Sequence, residues 1–427
     1  MKKLFAFEMR KIWQGRIWVP PVLLAGMILL IILALRIEPS SVFNGFYRKV
    51  NDATRPWWGM TVTEEIRQQA AVQAEAYGAV YREEFGFSYL DTSPVFEKYG
   101  DWSVELNAAV ALAQLVNNPT LDEERQDHQD MILFTEQRVR DGTASLSEIR
   151  LLDRQIEPSF QQIAPTYCAW DYFLSISGGY AVMVVGLGTM AMMLVFFSDV
   201  FSREEGGGMA AVCMSKPRRR QWIWAKILSV AASGALLTLF MTGGLLLAYG
   251  LIFGFQGWNL NALNYVGVTG YTYGMLNVNV TTLELSLIKL AWNMAAGVCL
   301  ALTVAGFSAL VRNATAAAGL SAAALLAQVV PAYILTAYER SHQMTPEHNL
   351  VDWTGLHAFC QTPIRYFLDV DMLMMRVDLE ASLMQDGTVF YNTLVTPDLA
   401  LATGATMLLV TLAGLAACLV YERLATR

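Results

Sequence analysis

Long apolar blocks alternate with polar ones along the chain. A helix that crosses a bilayer core about 30 Å thick needs ~20 mostly apolar residues, because backbone groups in lipid must bond one another. Six stretches meet that need and are predicted as spans: 17–36, 176–198, 227–253, 285–311, 314–338 and 399–421. None holds a charged residue near its centre, where one costs at least about 2.5 kcal/mol. Lys289 lies about a turn inside the fourth span. Its side chain is expected to snorkel to the surface, with a place on a transport pathway as the alternative. Pro20 and Pro21 fall in the first turn of the first span, where amides lack helical partners anyway. That span is long for a cleaved leader and no small-x-small site follows Leu35-Arg36-Ile37, so it is expected to stay as an anchor.

The polar blocks have patterns of their own. Over residues 1–16, Phe5, Met9, Ile12 and Trp13 share one helical face while Lys2, Lys3, Arg10 and Lys11 lie mostly elsewhere, which predicts an amphipathic helix in the membrane interface. Residues 37–175 carry helix-like runs over 63–85, 103–117, 121–140 and 146–162, separated or ended by Pro94, Pro119, Pro158 and Pro165. A segment of that length can bury a small core, so a mainly helical outer domain is expected. Residues 254–284 read as a polar outer loop. In 339–398, Trp353, Leu356, Phe359, Tyr366 and Phe367 suggest short helices at the outer leaflet, and 422–427 form a tail.

Charge fixes the orientation. Lys and Arg near span ends stay in the cytoplasm. Lys2, Lys3, Arg10, Lys11 and Arg16 precede the first span, and Arg203, Lys216, Arg218, Arg219, Arg220 and Lys226 lie between the second and third. Arg312 joins the fourth to the fifth, and Arg423 and Arg427 follow the last. With six spans these segments share one side, so both termini are expected in the cytoplasm of a multi-pass cell-membrane protein. In the 37–175 segment acidic residues outnumber basic ones roughly two to one, which suits a solvated outer face or a cationic ligand. The chain's 55% apolar and 16% charged residues agree with a membrane protein, since soluble domains run near 25% charged. A net charge of −7 leaves no broad basic surface for nucleic acid.

Enzyme signatures are missing. There is no Gly-x-x-x-x-Gly-Lys-[Ser/Thr] to cradle ATP phosphates, no Gly-x-Ser-x-Gly and no His-Glu-x-x-His, so no catalytic residue is assigned. His342, His348 and His357 fall in one outer segment, but offsets of six and nine residues do not share a helical face, so no metal site is assigned. The five cysteines include no Cys-x-x-Cys pair, and Cys168 and Cys360 lie on the same outer side as unrelated thiols or as a bridge. Carboxylate or His pairs inside the spans, the mark of ion-coupled carriers, are absent too. Small residues crowd the fifth span from Ala314 to Ala327, and let helices approach closely in lipid.

The most specific pattern is cytoplasmic. From Ser198 to Leu228 the chain reads SDVFSREEGGGMAAVCMSKPRRRQWIWAKIL. Glu205 and Gly207 form a Glu-x-Gly, Val212, Cys213 and Met214 an apolar run, Pro217 to Arg220 a Pro-x-x-Arg, and Lys226 follows six residues later. Glycines allow a sharp exit from the bilayer, Pro217 ends a short helix, and the Arg cluster with Lys226 holds the return at an anionic surface. The apolar run suits a partner's groove. This segment resembles the coupling loop of the permease subunits of ABC type-2 transporters, with Gly208 where that family usually has Thr. The interfacial helix, the six spans and the outer segment before the last are similar to the family in their order. The large domain between the first two spans exceeds the family's short minimum form.

The resemblance implies an all-α polytopic permease subunit with a coupling loop over 199–226. A separate ATP-binding-cassette ATPase would dock there, touching Glu205, Gly207, Val212, Met214, Pro217, Arg220 and Lys226. It implies two permease chains per transporter, identical or related. ATP and Mg would sit on the ATPase, with no cofactor in this chain. The expected work is export of a peptide, a lipid or a drug-like substrate. Mechanical transmission through the outer domain and a non-transporting sensor or assembly factor are the alternatives.

Overall fold

The computed structural model describes residues 2–37, 46–85, 104–118, 120–141, 162–165, 168–174, 179–203, 219–262, 273–276, 281–311, 313–324, 376–383, 389–393 and 397–424. Most of these are helical. In chain order they form α1 (Lys2–Trp13), α2 (Val19–Ile37), α3 (Phe46–Thr54), α4 (Glu64–Phe85), α5 (Val104–Asn117), α6 (Leu121–Arg140), α7 (Ala169–Leu174), α8 (Gly179–Phe197), α9 (Arg219–Phe253), α10 (Thr282–Val311), α11 (Ala314–Ala324) and α12 (Pro397–Leu424).

Among the described residues three helices are long and apolar enough to cross a membrane: Arg219–Phe253, Thr282–Val311 and, within α12, Gly404–Tyr421. Val19–Leu33, Val185–Phe197 and Ala314–Ala324 are apolar but shorter over the described stretch. Large apolar side chains stand uncovered on these helices, among them Val22, Leu29 and Leu30 of α2, Leu247 and Leu251 of α9, and Leu408, Leu409 and Leu412 of α12. Water would penalise so much bare apolar surface, whereas lipid does not. The protein is membrane-associated on this ground. At 1.5 Å per residue, α9 with 35 residues and α10 with 30 run about 50 and 45 Å, so each overshoots a ~30 Å hydrocarbon core.

α10 is the central helix, packed along α9 on one side and α12 on the other. Close approach depends on glycine. A Cβ placed at Gly234 of α9 would fall 2.6 Å from the Cβ of Ala301 and 2.7 Å from the carbonyl oxygen of Gly297, both on α10. A Cβ at Gly414 of α12 would meet the backbone of Leu302 at 2.8 Å. Small residues there let dispersion contacts hold helices in lipid, which offers no hydrophobic drive of its own.

A second, separate core lies in the segment after α2. Ala53, Trp57, Val62, Ile66, Ala70, Ala74, Ala108, Leu112, Leu115 and Ile163 cluster as α3, α4 and α5 pack together. α4, α5 and α6 fall on the predicted runs. α6 starts at a capping box, where the Thr120 hydroxyl accepts from the Glu123 amide and the Glu123 carboxylate accepts from the Thr120 amide. The expected run over 146–162 lies outside the described residues apart from Gln162.

The expectation of an all-helical chain needs one correction. β1 (Tyr273–Leu276), β2 (Arg376–Leu383) and β3 (Val389–Thr393) form an antiparallel sheet in the order β1-β2-β3. Tyr273 pairs with Leu379, and Leu379 with Thr393. The polar loop 254–284 therefore contains a strand and the end of the 339–398 segment forms two, while Trp353, Leu356, Phe359, Tyr366 and Phe367, expected in short helices, lie outside the described residues. The reason is in the sequence: apolar and polar residues alternate strictly from Val377 to Leu383, the period of a strand. Asp386-Gly387, a turn-forming pair, stands between the two strands in sequence.

Candidate functional site

One end of the helical bundle is organised around α1. Its predicted apolar face is the one that packs: Ile12 is buried, and Phe5, Met9 and Trp13 lie half-buried against α9. The Phe5 carbonyl accepts a hydrogen bond from the Ser229 hydroxyl at 3.1 Å, and the Trp13 indole donates to the Ser233 hydroxyl at 3.0 Å. A turn with Gly15 at φ +79° then leads into α2, a conformation that side chains with a Cβ resist.

Glu8 lies on that same packed face and is 1% exposed. Its carboxylate accepts from the Trp222 indole at 3.0 Å and stands 3.9 Å from the Lys226 ammonium. Lys226 is itself 1% exposed, and its ammonium lies 4.9 Å from the centre of the Phe201 ring and 5.0 Å from that of Trp222. Two charges removed from water persist only when they meet each other and further polar or π partners, and this pair meets both conditions.

A second pair lies at the other side of the basic segment. Arg16, just after α1, meets the Asp199 carboxylate at 2.5 Å and donates to the Phe196 carbonyl at 2.9 Å. Trp13 packs edge-on against Phe196 with ring centres 5.4 Å apart. Asp199 precedes segment 204–218 and Lys226 follows it. α1 and the turn that follows it therefore grip both shoulders of that segment. The Ser308 hydroxyl of α10 accepts from the Phe201 and Ser202 amides at 3.1 and 3.4 Å, and the Phe201 ring lies 4.9 Å from that of Tyr421 on α12. α1, α8, α9, α10 and α12 thus meet within a few contacts of the segment's ends.

The sequence-predicted site residues separate into three groups. Glu205, Gly207, Val212, Met214 and Pro217 lie outside the described residues. Arg220 is exposed in the first turn of α9. Lys226 is a correction: it is buried under α1 rather than held at the bilayer surface, because α9 is already helical from Arg219 and turns this position inward. Lys289 is a second correction. It does not snorkel outward but is 4% exposed, donating to the Phe173 carbonyl at the end of α7, 4.7 Å from the centre of the Phe173 ring. The open carbonyls at a helix end are a natural seat for a cation. Cys168 is buried, and Cys360 lies outside the described residues. Among the described residues no group of three metal-ligating side chains comes together.

Sequence reading missed Glu8, Arg16–Asp199 as a pair, Ser308 and Asn293. Glu8 had a signal: it stands one turn from Phe5 and one from Ile12, on the greasy stripe of an amphipathic helix. Asn293 lies one turn below Lys289 on the same face of α10, at 0% exposure. Neither its amide nitrogen nor its amide oxygen meets a hydrogen-bond partner, at a cost of about 1–3 kcal/mol for each unmet group. Comparison with protein families, with characterised proteins and with solved structures returns no match.

Proposed function

We propose that this chain is the membrane permease subunit of an ATP-driven exporter of the ABC type, crossing the cell membrane six times with both termini in the cytoplasm. The observation that carries the reading is the grip of α1 on Lys226, through Glu8, and of the turn after it on Asp199, through Arg16. A segment built only to cap two helices needs no such brace. One that receives force from a soluble motor does, because a push on a loose loop dissipates in the loop. With both shoulders tied to α1 and the turn after it, displacement of segment 204–218 drags α8 and α9 together. Ser308 and Phe201 then pass it to α10 and α12. The spacing of Glu205, Gly207, Pro217, Arg220 and Lys226 supports the same reading from the sequence side.

On this reading Glu8 and Lys226 are positioning residues, and Arg220, exposed in the first turn of α9, faces the motor's surface. The ATPase holds ATP and Mg, and a second permease chain completes the pathway. Tagging the chain in its native host and purifying it in mild detergent tests the proposal. An ATP-binding-cassette ATPase should co-purify in stoichiometric amount, and should be lost from Gly207→Trp or Pro217→Trp variants that remain folded. Recovery of the chain alone, under conditions that preserve known transporter complexes, contradicts it.

A second reading is favoured by the separate core around Trp57, Ala70 and Leu112. There the same motor would lever the outer domain against an envelope partner instead of passing a solute. Removing residues 40–170 separates the two: transport that survives the deletion refutes the lever.

A further inference from the structure

From the uncovered face of α1 we infer a docking surface for the anionic phospholipid headgroups of the bilayer. The apolar stripe of Phe5, Met9, Ile12 and Trp13 packs against α9, so it cannot also hold the helix in lipid. The opposite face carries Lys3, Phe7, Arg10 and, just past the helix, Gln14, at offsets of four, three and four residues. All four are exposed, as is Lys2 at their edge. Phe7, a large apolar side chain set between cations, is 56% exposed.

Charge and continuity name the occupant. Glu8 is the one acidic residue among positions 1–18, and on the packed side it meets Trp222 and Lys226. Arg16 is tied to Asp199. The charges left on the uncovered face are therefore all basic, with a ring at its centre, which complements phosphate groups lying over apolar tails. Ile17 and Trp18 follow at 60% and 76% exposure and lead into the uncovered Val22, Leu29 and Leu30 of α2, so the face is continuous with the surface that lipid bathes. Tryptophan is favoured at that boundary, with its N–H wet and the rest of the ring apolar. Depth agrees. The partners of α1 on α9 run from Trp222 to Ser233, early turns of a helix about 50 Å long that overshoots the hydrocarbon core, which sets α1 at headgroup level. A choline headgroup has the same phosphate but adds a cation, which these side chains repel. The binding does not depend on the transport reading.

The test uses the full chain in nanodiscs holding phosphatidylcholine and phosphatidylglycerol in equal amounts, with no ATPase present. A trace of one lipid or the other carries a diazirine high on its acyl chain. Peptide mass spectrometry then counts the cross-links on residues 2–18 after illumination. Each basic residue near an anionic surface is worth roughly a fivefold preference, so phosphatidylglycerol should label this segment at least about fivefold more than phosphatidylcholine. Lys2→Gln, Lys3→Gln and Arg10→Gln together should bring the two lipids to within about twofold of each other. In pure phosphatidylcholine discs that variant should melt as the parent does, since exposed side chains contribute little to stability. Salt at about 0.5 M should abolish the preference in the parent chain itself, with no substitution made. A preference that survives either the triple variant or salt, or no labelling of the segment by either lipid, overturns the inference. Equal labelling by the two lipids in the parent also overturns it and leaves the face to a protein partner.

Discussion

Breaking the buried pair between α1 and α9 should cost more than removing both its members. Opposite unit charges 3.9 Å apart attract by about 4 kcal/mol at an effective dielectric near 20. Both side chains are nearly inaccessible to solvent, so water cannot replace a lost partner. Glu8→Leu leaves the Lys226 ammonium buried without its counter-charge and takes the acceptor from the Trp222 indole. The expected loss is about 3–5 kcal/mol. Glu8→Gln keeps an acceptor for Trp222 and removes only the charge, so it should cost less than Glu8→Leu. Adding Lys226→Met to Glu8→Leu removes the stranded cation and should bring stability back to within about 1 kcal/mol of the starting protein. Equilibrium unfolding in mixed micelles, followed by tryptophan fluorescence, measures these three variants and Lys226→Met alone. Losses that simply add in the double variant, or a Glu8→Leu variant as stable as the parent, would refute the reasoning.

Other expectations follow from single contacts. Gly234→Leu should cost at least about 1–3 kcal/mol, since its Cβ already lands 2.6 Å from Ala301; a thermal melt of the purified variant checks it. Ser308→Ala removes the acceptor for two buried amides and should cost about 1–3 kcal/mol, read by the same melt. Between α4 and the start of α6, the Arg67 guanidinium and the Thr120 amide and hydroxyl hold the Glu123 carboxyl down at about 2, from an ordinary 4.5. A lowered folded-state value stabilises the fold above the unfolded value and is lost as pH falls. The α6 cap and its tie to Arg67 should therefore weaken between about pH 4.5 and pH 2. Titration of the Glu123 side-chain carbonyl by NMR checks this, and a midpoint near 4.5 would contradict it.

Much of the fold was legible because the governing rule is coarse. Lipid demands long apolar helices, so α9, α10 and α12 announce themselves by length alone. Amphipathic spacing likewise marked the packed face of α1 through Phe5, Met9 and Ile12. The site was less legible because its logic is one of partners. Glu8 and Lys226 are 218 positions apart, and nothing local says that a lysine at a span entrance will be covered by another helix. The same holds for Lys289, whose carbonyl partner at Phe173 comes from a short helix that no periodicity predicts. The strands β2 and β3 were legible in principle. Their alternation was outweighed by the nearby aromatics of 353–367, which read as a helix at the outer leaflet.

The account rests on lipid bathing the apolar helices while segment 204–218 meets the cytoplasm. Cysteine labelling in intact cells addresses that directly, with Arg220→Cys on the segment's shoulder and Gln256→Cys beyond the far end of α9. A membrane-impermeant maleimide should reach position 256 at once and position 220 only after the cells are opened. Labelling of position 220 from outside intact cells would contradict the account.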